Sequence, residues 1–247
     1  MRIYYIIIDS SYVIKNFFKE QKTSMLQFLS QIDDIRLILV LTIALCAVLL
    51  ISFSMHEFAH AYVAYKCGDS TSKTMGRLTI NPFAHIDVMG FICCMFFGFG
   101  WAKPVPINPM NFRKYKSGIV KTSVAGVIVN FALSFVGCGL FYIFLKTLAP
   151  IITNLYLFYL IYYFLYFMFT INLSLMIFNL LPIPPLDGFN IISAITKYDN
   201  KFVDFMRKYG TIILLLILLV FDGILIYFIE LIGTPIEMFW NWVINLF

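Results

Sequence analysis

Long apolar runs dominate the pattern of hydrophobic and polar positions along the chain. The first run begins after Arg36 and continues without glycine or proline to Cys67, where Gly68 provides a helix C-terminus. The thirty residues from Leu37 to Lys66 would form about 45 Å of helix, which exceeds a hydrocarbon core of about 30 Å. The pattern therefore predicts a transmembrane helix that tilts or protrudes.

Further apolar runs predict additional membrane segments. Two spans are expected at 119–145 and 155–178, and a last one begins near Thr211, after the proline-rich break LPIPPLDG. Residues 88–100 are apolar but too short to cross and are bracketed by glycines, so we expect a re-entrant hairpin shielded by protein. Residues 101–108 contain closely spaced prolines and are expected to be extended. The predicted fold class is an all-α integral membrane protein with about four to five transmembrane helices plus this re-entrant and extended segment.

The pattern also predicts how the chain is organised around these spans. Residues 1–36 are expected to be a leader without the features of a cleavable signal peptide. Within it, residues 12–32 place apolar side chains at helical spacing with lysines between them, which favours a membrane-surface helix, with a flexible leader as the alternative. We assign 37–232 to one core domain and 233–247 to an interfacial C-terminal tail.

Composition supports the membrane assignment and excludes several functional classes. The chain is 61% hydrophobic and 13% charged, whereas a soluble domain carries about 25% charged residues. The net charge of +5 favours anionic lipid headgroups over nucleic acid, because no basic patch is interleaved with aromatic side chains. The five cysteines form no CxxC pair, and their odd number gives no support for a disulfide framework.

The distribution of positive charges predicts the orientation. If the first span ends in the cytoplasm, the inner loops hold twelve of the eighteen lysines and arginines and the outer side holds six. The connection between the second and third spans then carries a single lysine, Lys146. We therefore expect a multi-pass protein of the cell membrane whose active site lies towards the cytoplasmic side.

A candidate metal-binding motif lies near the end of the first span. His56-Glu57-Phe58-Ala59-His60 is an HExxH sequence, and it contains two of the three histidines of the chain. On a helix, positions i and i+4 share one face, so both imidazoles can bind a single Zn²⁺. Glu57 is then placed to accept a proton from a water that the metal activates. An ionisable residue within a membrane helix is costly and is functional by default.

A catalytic zinc needs a third protein ligand, and the sequence offers two candidates. Asp187 follows an apolar span at a proline break, from which its carboxylate could point back into the bundle, although Asp187-Gly188 is also an ordinary turn dipeptide. His85 could be a ligand, a substrate-positioning group or a loop histidine paired with Asp87. The loop or supporting role is favoured for His85.

Asn130 is another polar residue within a predicted span. Its amide could donate a hydrogen bond to the oxyanion that forms when water attacks a peptide carbonyl. Asparagine also links neighbouring helices in membranes by hydrogen bonds. The sequence leaves both roles open.

Together these motifs resemble the site-2 protease family of intramembrane zinc metalloproteases, in its small bacterial branch without PDZ or CBS domains. The matching pieces are HEFAH, NPFAHID followed by a glycine, GWAKPVPINPMNF, an AG-xxx-N segment and NLLPIPPLDG, in the family's order over about residues 38–222. Val127 departs from the pattern, since the family commonly has proline at that position.

The resemblance implies a function and a set of roles. One Zn²⁺ per chain would be bound by His56, His60 and Asp187, with Glu57 as catalytic base and Asn130 near the reacting carbonyl. The protein would be a metalloendopeptidase that cleaves membrane-embedded or membrane-proximal protein and peptide substrates. Beyond the resemblance, we hypothesise that substrate helices enter between the spans, partly unwind and pair with the extended residues 101–108.

One alternative comes from a different functional class. The same motif could belong to a non-proteolytic metal-binding membrane protein, such as a transporter or a pseudoprotease scaffold. Transporters are often built from inverted repeats with broken helices at the midplane, whereas this sequence has one broken region and no visible repeat. The protease interpretation is therefore favoured.

Overall fold

Helices account for most of the structure, which is a computed structural model that describes residues 34–97, 100–196, 200–220 and 222–246. The helices are α1 Ile35–Cys67, α2 Thr71–Thr74, α3 Val88–Phe97, α4 Tyr115–Thr147, α5 Leu155–Asn179, α6 Asp187–Ile195, α7 Lys201–Val220 and α8 Asp222–Ile244. Short 3-10 turns lie at Pro82–Ala84 and Pro109–Asn111. The predicted all-α membrane fold is confirmed.

Three helices among the described residues are long and apolar enough to cross a membrane, namely α1, α4 and α5. They include the three predicted spans and extend them by at most four residues at either end. Over the described residues this count is a little lower than the predicted four to five. The first half of α7 carries Lys201, Asp204, Arg207 and Lys208, which leaves about half of the ~20 apolar residues that a span requires.

The ends of α1 are set by two local signals. The Asp34 side chain accepts a hydrogen bond from the Arg36 backbone N–H at 2.9 Å and caps the first turn. At the other end, Gly68 adopts φ 116°, a left-handed conformation that favours glycine. The Asp69 N–H then reaches the Ala64 carbonyl, and the Gly68 N–H reaches Tyr65. The predicted stop at Gly68 is the observed C-cap.

The core lies between α1, α4 and α5, where large apolar side chains are almost fully buried. Leu49, Phe144, Tyr166 and Leu173 are members of this cluster. The Ser134 hydroxyl of α4 donates to the Phe169 carbonyl of α5 at 3.0 Å, a type of interhelical bond that is common in membrane bundles. This three-helix packing fixes the two long helices that carry most of the candidate site.

The segment between α3 and α4 is held from two sides. Ile86 and Ala102 form an isolated antiparallel bridge, and the Lys103 N–H donates to the His85 carbonyl at 2.8 Å. We call residues 101–108 the extended segment, and residues 68–77, which follow α1, the connecting loop. The Ser72 hydroxyl of the connecting loop donates to the Pro106 carbonyl at 2.6 Å.

Asp69 is the main anchor between the connecting loop and the end of the extended segment, including Asn111 just beyond it. Its fully buried carboxylate accepts hydrogen bonds from the Asn108 N–H at 2.7 Å and the Asn111 side chain at 2.8 Å. Burial acts to raise the pKa of this carboxyl, but bonds from Thr71, Asn111 and Asn108 outweigh burial and hold the pKa below its usual value. Asp69 is therefore ionised at neutral pH, and its anchoring bonds are charge-assisted.

Several organisational predictions stay predictions. The leader helix proposed for 12–32 lies outside the described residues. Residues 88–97 form α3, but their position relative to a bilayer is an expectation from sequence. The boundary at 232/233 falls inside α8, which continues to Ile244 and contains Pro235.

Candidate metal centre

The structure brings together two histidines of α1 and the first residue of α6. His56 Nε2 and His60 Nε2 are 2.9 Å apart. Asp187 Oδ2 lies 3.4 Å from His56 Nε2 and 3.2 Å from His60 Nε2. All three side chains are buried. Asp187, which the sequence left between a ligand and a turn residue, thus lies beside both imidazoles.

This donor set fits a zinc ion. In a tetrahedral zinc site with metal–ligand distances of about 2.0–2.1 Å, donor atoms are about 3.3–3.4 Å apart. The three observed separations lie within about 0.5 Å of that geometry. Asp187 Oδ2 is buried and has no hydrogen-bond partner of its own, which is costly for a carboxylate unless a cation compensates it. Two imidazoles and one carboxylate are also the composition of catalytic zinc sites that keep a fourth position open.

Helix α4 orients the imidazole of His60. His60 Nδ1 lies 2.7 Å from the Thr122 carbonyl oxygen. Because a carbonyl oxygen only accepts, Nδ1 must carry the proton, and the Nε2 lone pair is left for a metal. A partner that fixes the tautomer and direction of a ligating imidazole is a regular feature of zinc sites.

Close approach of α4 to the histidines depends on Gly126. A Cβ at this position would lie 2.5 Å from both His56 Cε1 and His60 Nε2, which is well inside van der Waals contact. The α4 backbone therefore packs directly against both rings. Any larger residue would displace the imidazoles or the helix.

Glu57 is buried beside the ligands and is held by the extended segment. Its Oε2 accepts a hydrogen bond from the Val105 N–H at 2.8 Å. The other carboxylate oxygen has no bond to the extended segment that would compete with a water molecule. The residue proposed as catalytic base is therefore fixed by backbone on one side only.

Asn130 is one helical turn beyond Gly126 and is fully buried. Its side chain lies close to the His56 imidazole, and neither amide atom has a hydrogen bond of standard geometry. The structure therefore brings Asn130 to the edge of the metal centre. Its chemical role stays a prediction.

His85 lies apart from the metal centre. Its ring is fully buried, and its Nε2 is 2.7 Å from the Thr79 carbonyl oxygen. The partner is not Asp87, whose carboxylate accepts a bond from the Gly90 N–H at 2.9 Å. Burial lowers the pKa of His85, so its imidazole is neutral at pH 7. The geometry agrees with the favoured loop role.

Sequence reasoning missed the groups that support the ligands. These are the Thr122 carbonyl, the Gly126 backbone and the Val105 N–H. Their roles depend on main-chain atoms, whose neighbours cannot be read from residue types. A partial signal existed for Val105, which stands between two prolines and is therefore the single N–H donor of residues 104–106.

Comparison with known proteins connects this geometry to a family. The family model for peptidase family M50 matches residues 44–221, a range that contains all the candidate ligands. No solved structure matches the chain significantly.

Two curated relatives also match. YwhC of Bacillus subtilis (strain 168), provisionally named a zinc metalloprotease, is 46% identical over 148 residues, covering 58% of this chain and 65% of its own. Rip2 of Mycolicibacterium smegmatis (strain ATCC 700084 / mc(2)155), also provisionally named a zinc metalloprotease, is 28% identical over 191 residues, covering 74% and 69%. The matched part of this chain thus spans slightly less than two thirds of YwhC.

Proposed function

The chain belongs to peptidase family M50, the site-2 protease family, and on this premise we propose that it is an intramembrane zinc metalloendopeptidase. Its substrates would be membrane-embedded or membrane-proximal proteins and peptides. The observation that carries the proposal is the convergence of His56, His60 and Asp187 within a bundle of membrane-spanning helices. A buried set of three donors beside a glutamate suits hydrolysis better than a structural metal, which would use four protein ligands.

His56 Nε2, His60 Nε2 and an Asp187 carboxylate oxygen would hold the ion. When bound, zinc supplies a Lewis acid that polarises the scissile carbonyl and acidifies the attacking water. The Thr122 carbonyl keeps His60 in the tautomer that such binding needs. The surrounding apolar core excludes bulk water, which strengthens electrostatic interactions in the site.

Glu57 is the proposed proton carrier. Its free carboxylate oxygen accepts a proton from the water that attacks the peptide carbonyl carbon. As the C–N bond breaks, the same oxygen delivers that proton to the leaving nitrogen, which departs as an amine. The Val105 N–H stays on Oε2 and keeps the other oxygen aimed at the reaction centre.

Asn130 is the proposed stabiliser of the reacting carbonyl. Its amide is fully buried and lacks a completed hydrogen bond, so a donor N–H is held ready in a region of low dielectric. Such preorganised donors stabilise the charge that develops on the carbonyl oxygen.

The substrate would lie along the extended segment. A transmembrane helix hides its peptide bonds, so the substrate must unwind before attack, and unwound backbone can pair with an extended chain. Val105 connects this segment to Glu57, which puts a paired substrate beside the proposed base. The Val105 N–H is already engaged, so pairing would use other main-chain groups of the segment.

The experiment that tests this function is reconstitution of the full chain in lipid nanodiscs with a membrane-spanning model substrate. We expect cleavage that stops when a zinc chelator is added and returns when zinc is restored, because the ion supplies the Lewis acid. A soluble peptide of the same cleaved sequence is the control for access through the bilayer. Zinc binding without cleavage of any membrane substrate would favour the non-proteolytic alternative.

We further propose that the metal centre lies towards the cytoplasmic face. Lys66, Lys73, Arg113, Lys114 and Lys116 are exposed at the end of the bundle where α1 ends and α4 begins, and such clusters mark the cytoplasmic side. Lys146 lies at the opposite end of α4. In a variant without the five native cysteines, Lys116→Cys should react with an impermeant maleimide only from the cytoplasmic side. Lys146→Cys should show the reverse, and the opposite pattern would overturn the orientation.

A further inference from the structure

Arg77 is a basic residue of the connecting loop, and its side chain forms hydrogen bonds with the extended segment. Its Nη2 donates to the Lys103 carbonyl at 2.7 Å and to the Pro104 carbonyl at 3.3 Å. One guanidinium thus serves two consecutive carbonyls just before Val105.

The local backbone explains how Arg77 reaches these carbonyls. Helix α2 ends in a Schellman motif, in which the Gly76 N–H donates to the Lys73 carbonyl at 3.1 Å and the Arg77 N–H to the Ser72 carbonyl at 2.8 Å. Gly76 adopts φ 68°, which favours glycine. The motif turns the chain sharply, so the side chain of the first residue after the turn reaches the extended segment.

The peptide group between Pro104 and Val105 connects Arg77 to the proposed base. Its carbonyl oxygen accepts from Arg77, and its N–H donates to Glu57 Oε2 at 2.8 Å. A peptide group is planar and rigid, with C=O and N–H on opposite sides. Anchoring the oxygen therefore fixes the direction of the N–H. A bond to the carbonyl also polarises the group and strengthens its N–H as a donor.

No neighbouring residue of the segment can replace this arrangement. Pro104 and Pro106 have no N–H, so Val105 is the single backbone donor between them. If the Pro104–Val105 peptide tilts, Glu57 loses its bond to this stretch. The Ser72 bond to the Pro106 carbonyl anchors the far side of Val105 but leaves this peptide free to rotate.

We propose that Arg77 is a positioning residue for catalysis, which holds the Pro104–Val105 peptide so that its N–H orients Glu57. The inference rests on the proposed peptidase function, since it assigns Glu57 as the base. Arg77 itself touches neither the substrate nor the metal. Its loss should reduce turnover and leave zinc binding intact.

The test compares Arg77→Met and Arg77→Lys with wild type in the nanodisc cleavage assay. Lys116→Met is the matched control, because it removes an exposed positive charge at the same end of the bundle. We expect kcat of Arg77→Met to fall on the order of 10²-fold, as for a base displaced by about 1 Å. KM should stay within about twofold, since the change affects the chemical step and not ground-state binding. Arg77→Lys should recover part of the loss, because an ammonium can donate to one of the two carbonyls.

Hydrogen exchange provides a readout that does not depend on activity. The Val105 amide should exchange about tenfold faster in Arg77→Met than in wild type or Lys116→Met, which corresponds to the loss of roughly one hydrogen bond. If Arg77→Met fails to fold, Val105→Pro replaces it, because proline removes the N–H itself. That variant should lose kcat by a similar factor with its zinc content unchanged.

The outcomes separate this inference from the function on which it rests. An active wild type with an Arg77→Met variant as active as Lys116→Met overturns the positioning role alone. So does a rise in KM without a change in kcat, or a loss of zinc. A wild type that cleaves no membrane substrate overturns the proposed function and this inference with it.

Discussion

Replacement of Glu57 by glutamine is expected to abolish peptide cleavage while zinc stays bound. Glutamine has nearly the same shape, and its carbonyl oxygen can still accept the Val105 N–H bond seen at 2.8 Å. An amide cannot take up a proton at neutral pH, so the attacking water loses its base and the leaving amine its proton donor. General acid–base catalysis contributes about 10²–10⁴-fold to a rate, and we expect kcat to fall by at least that much.

Cleavage of the model substrate and zinc content should be measured on the same purified samples. Glu230→Gln is the matched control, because it makes the same change at an exposed glutamate of α8 and should cleave like wild type. Wild-type kcat in Glu57→Gln would exclude Glu57 as the base. Loss of zinc in that variant would instead indicate that Glu57 takes part in metal binding.

Replacement of Asp187 by alanine is expected to remove zinc and, with it, activity. The Asp187 oxygen lies 3.4 and 3.2 Å from the two histidine nitrogens, so its loss leaves two ligands for the ion. Changes of residues that merely support zinc ligands lower affinity by about 10–100-fold, and removal of a ligand should cost more. The variant should keep its fold, because only the first residue of the short helix α6 changes.

Zinc affinity should be determined by competition with a chromophoric chelator, together with metal content after purification. Asp204→Ala serves as control, since Asp204 is an exposed carboxylate paired loosely with Arg207 at 3.7 Å. That change should leave both zinc and cleavage unaltered. An Asp187→Ala protein with wild-type zinc affinity would show that another residue completes the site.

Sequence periodicity was a good guide to the long helices because their ends carry local signals. Gly68 and Asp34 mark the limits of α1, and Asn154 caps the start of α5 by accepting bonds from the Tyr156 and Leu157 N–H groups. These signals act within a few residues of the chain. The number of spans was less sharply predicted, since three helices of the described residues qualify, slightly fewer than the four to five expected.

The candidate site was only partly predictable, because several of its contacts join residues that are far apart in the sequence. The HExxH pair lies on one helix, so its spacing alone implies that the imidazoles can share an ion. The approach of Asp187 depends on how α6 packs against α4, and the contacts of Thr122 and Gly126 depend on the register of α4. Arg77 carried no motif at all, because its partners are carbonyl oxygens that every residue possesses.

The position of Asp187 at the start of α6 has a consequence for the stability of the folded protein. The two histidines belong to the first long helix, whereas the carboxylate comes from a short helix beyond α5. An ion held by all three would act as a cross-link between distant parts of the chain, in addition to the packing of α6 and α1 against α4. Ligands that bind only the native state stabilise it, increasingly so as their concentration exceeds the Kd. A bound metal would therefore stabilise the helix bundle in addition to its part in catalysis.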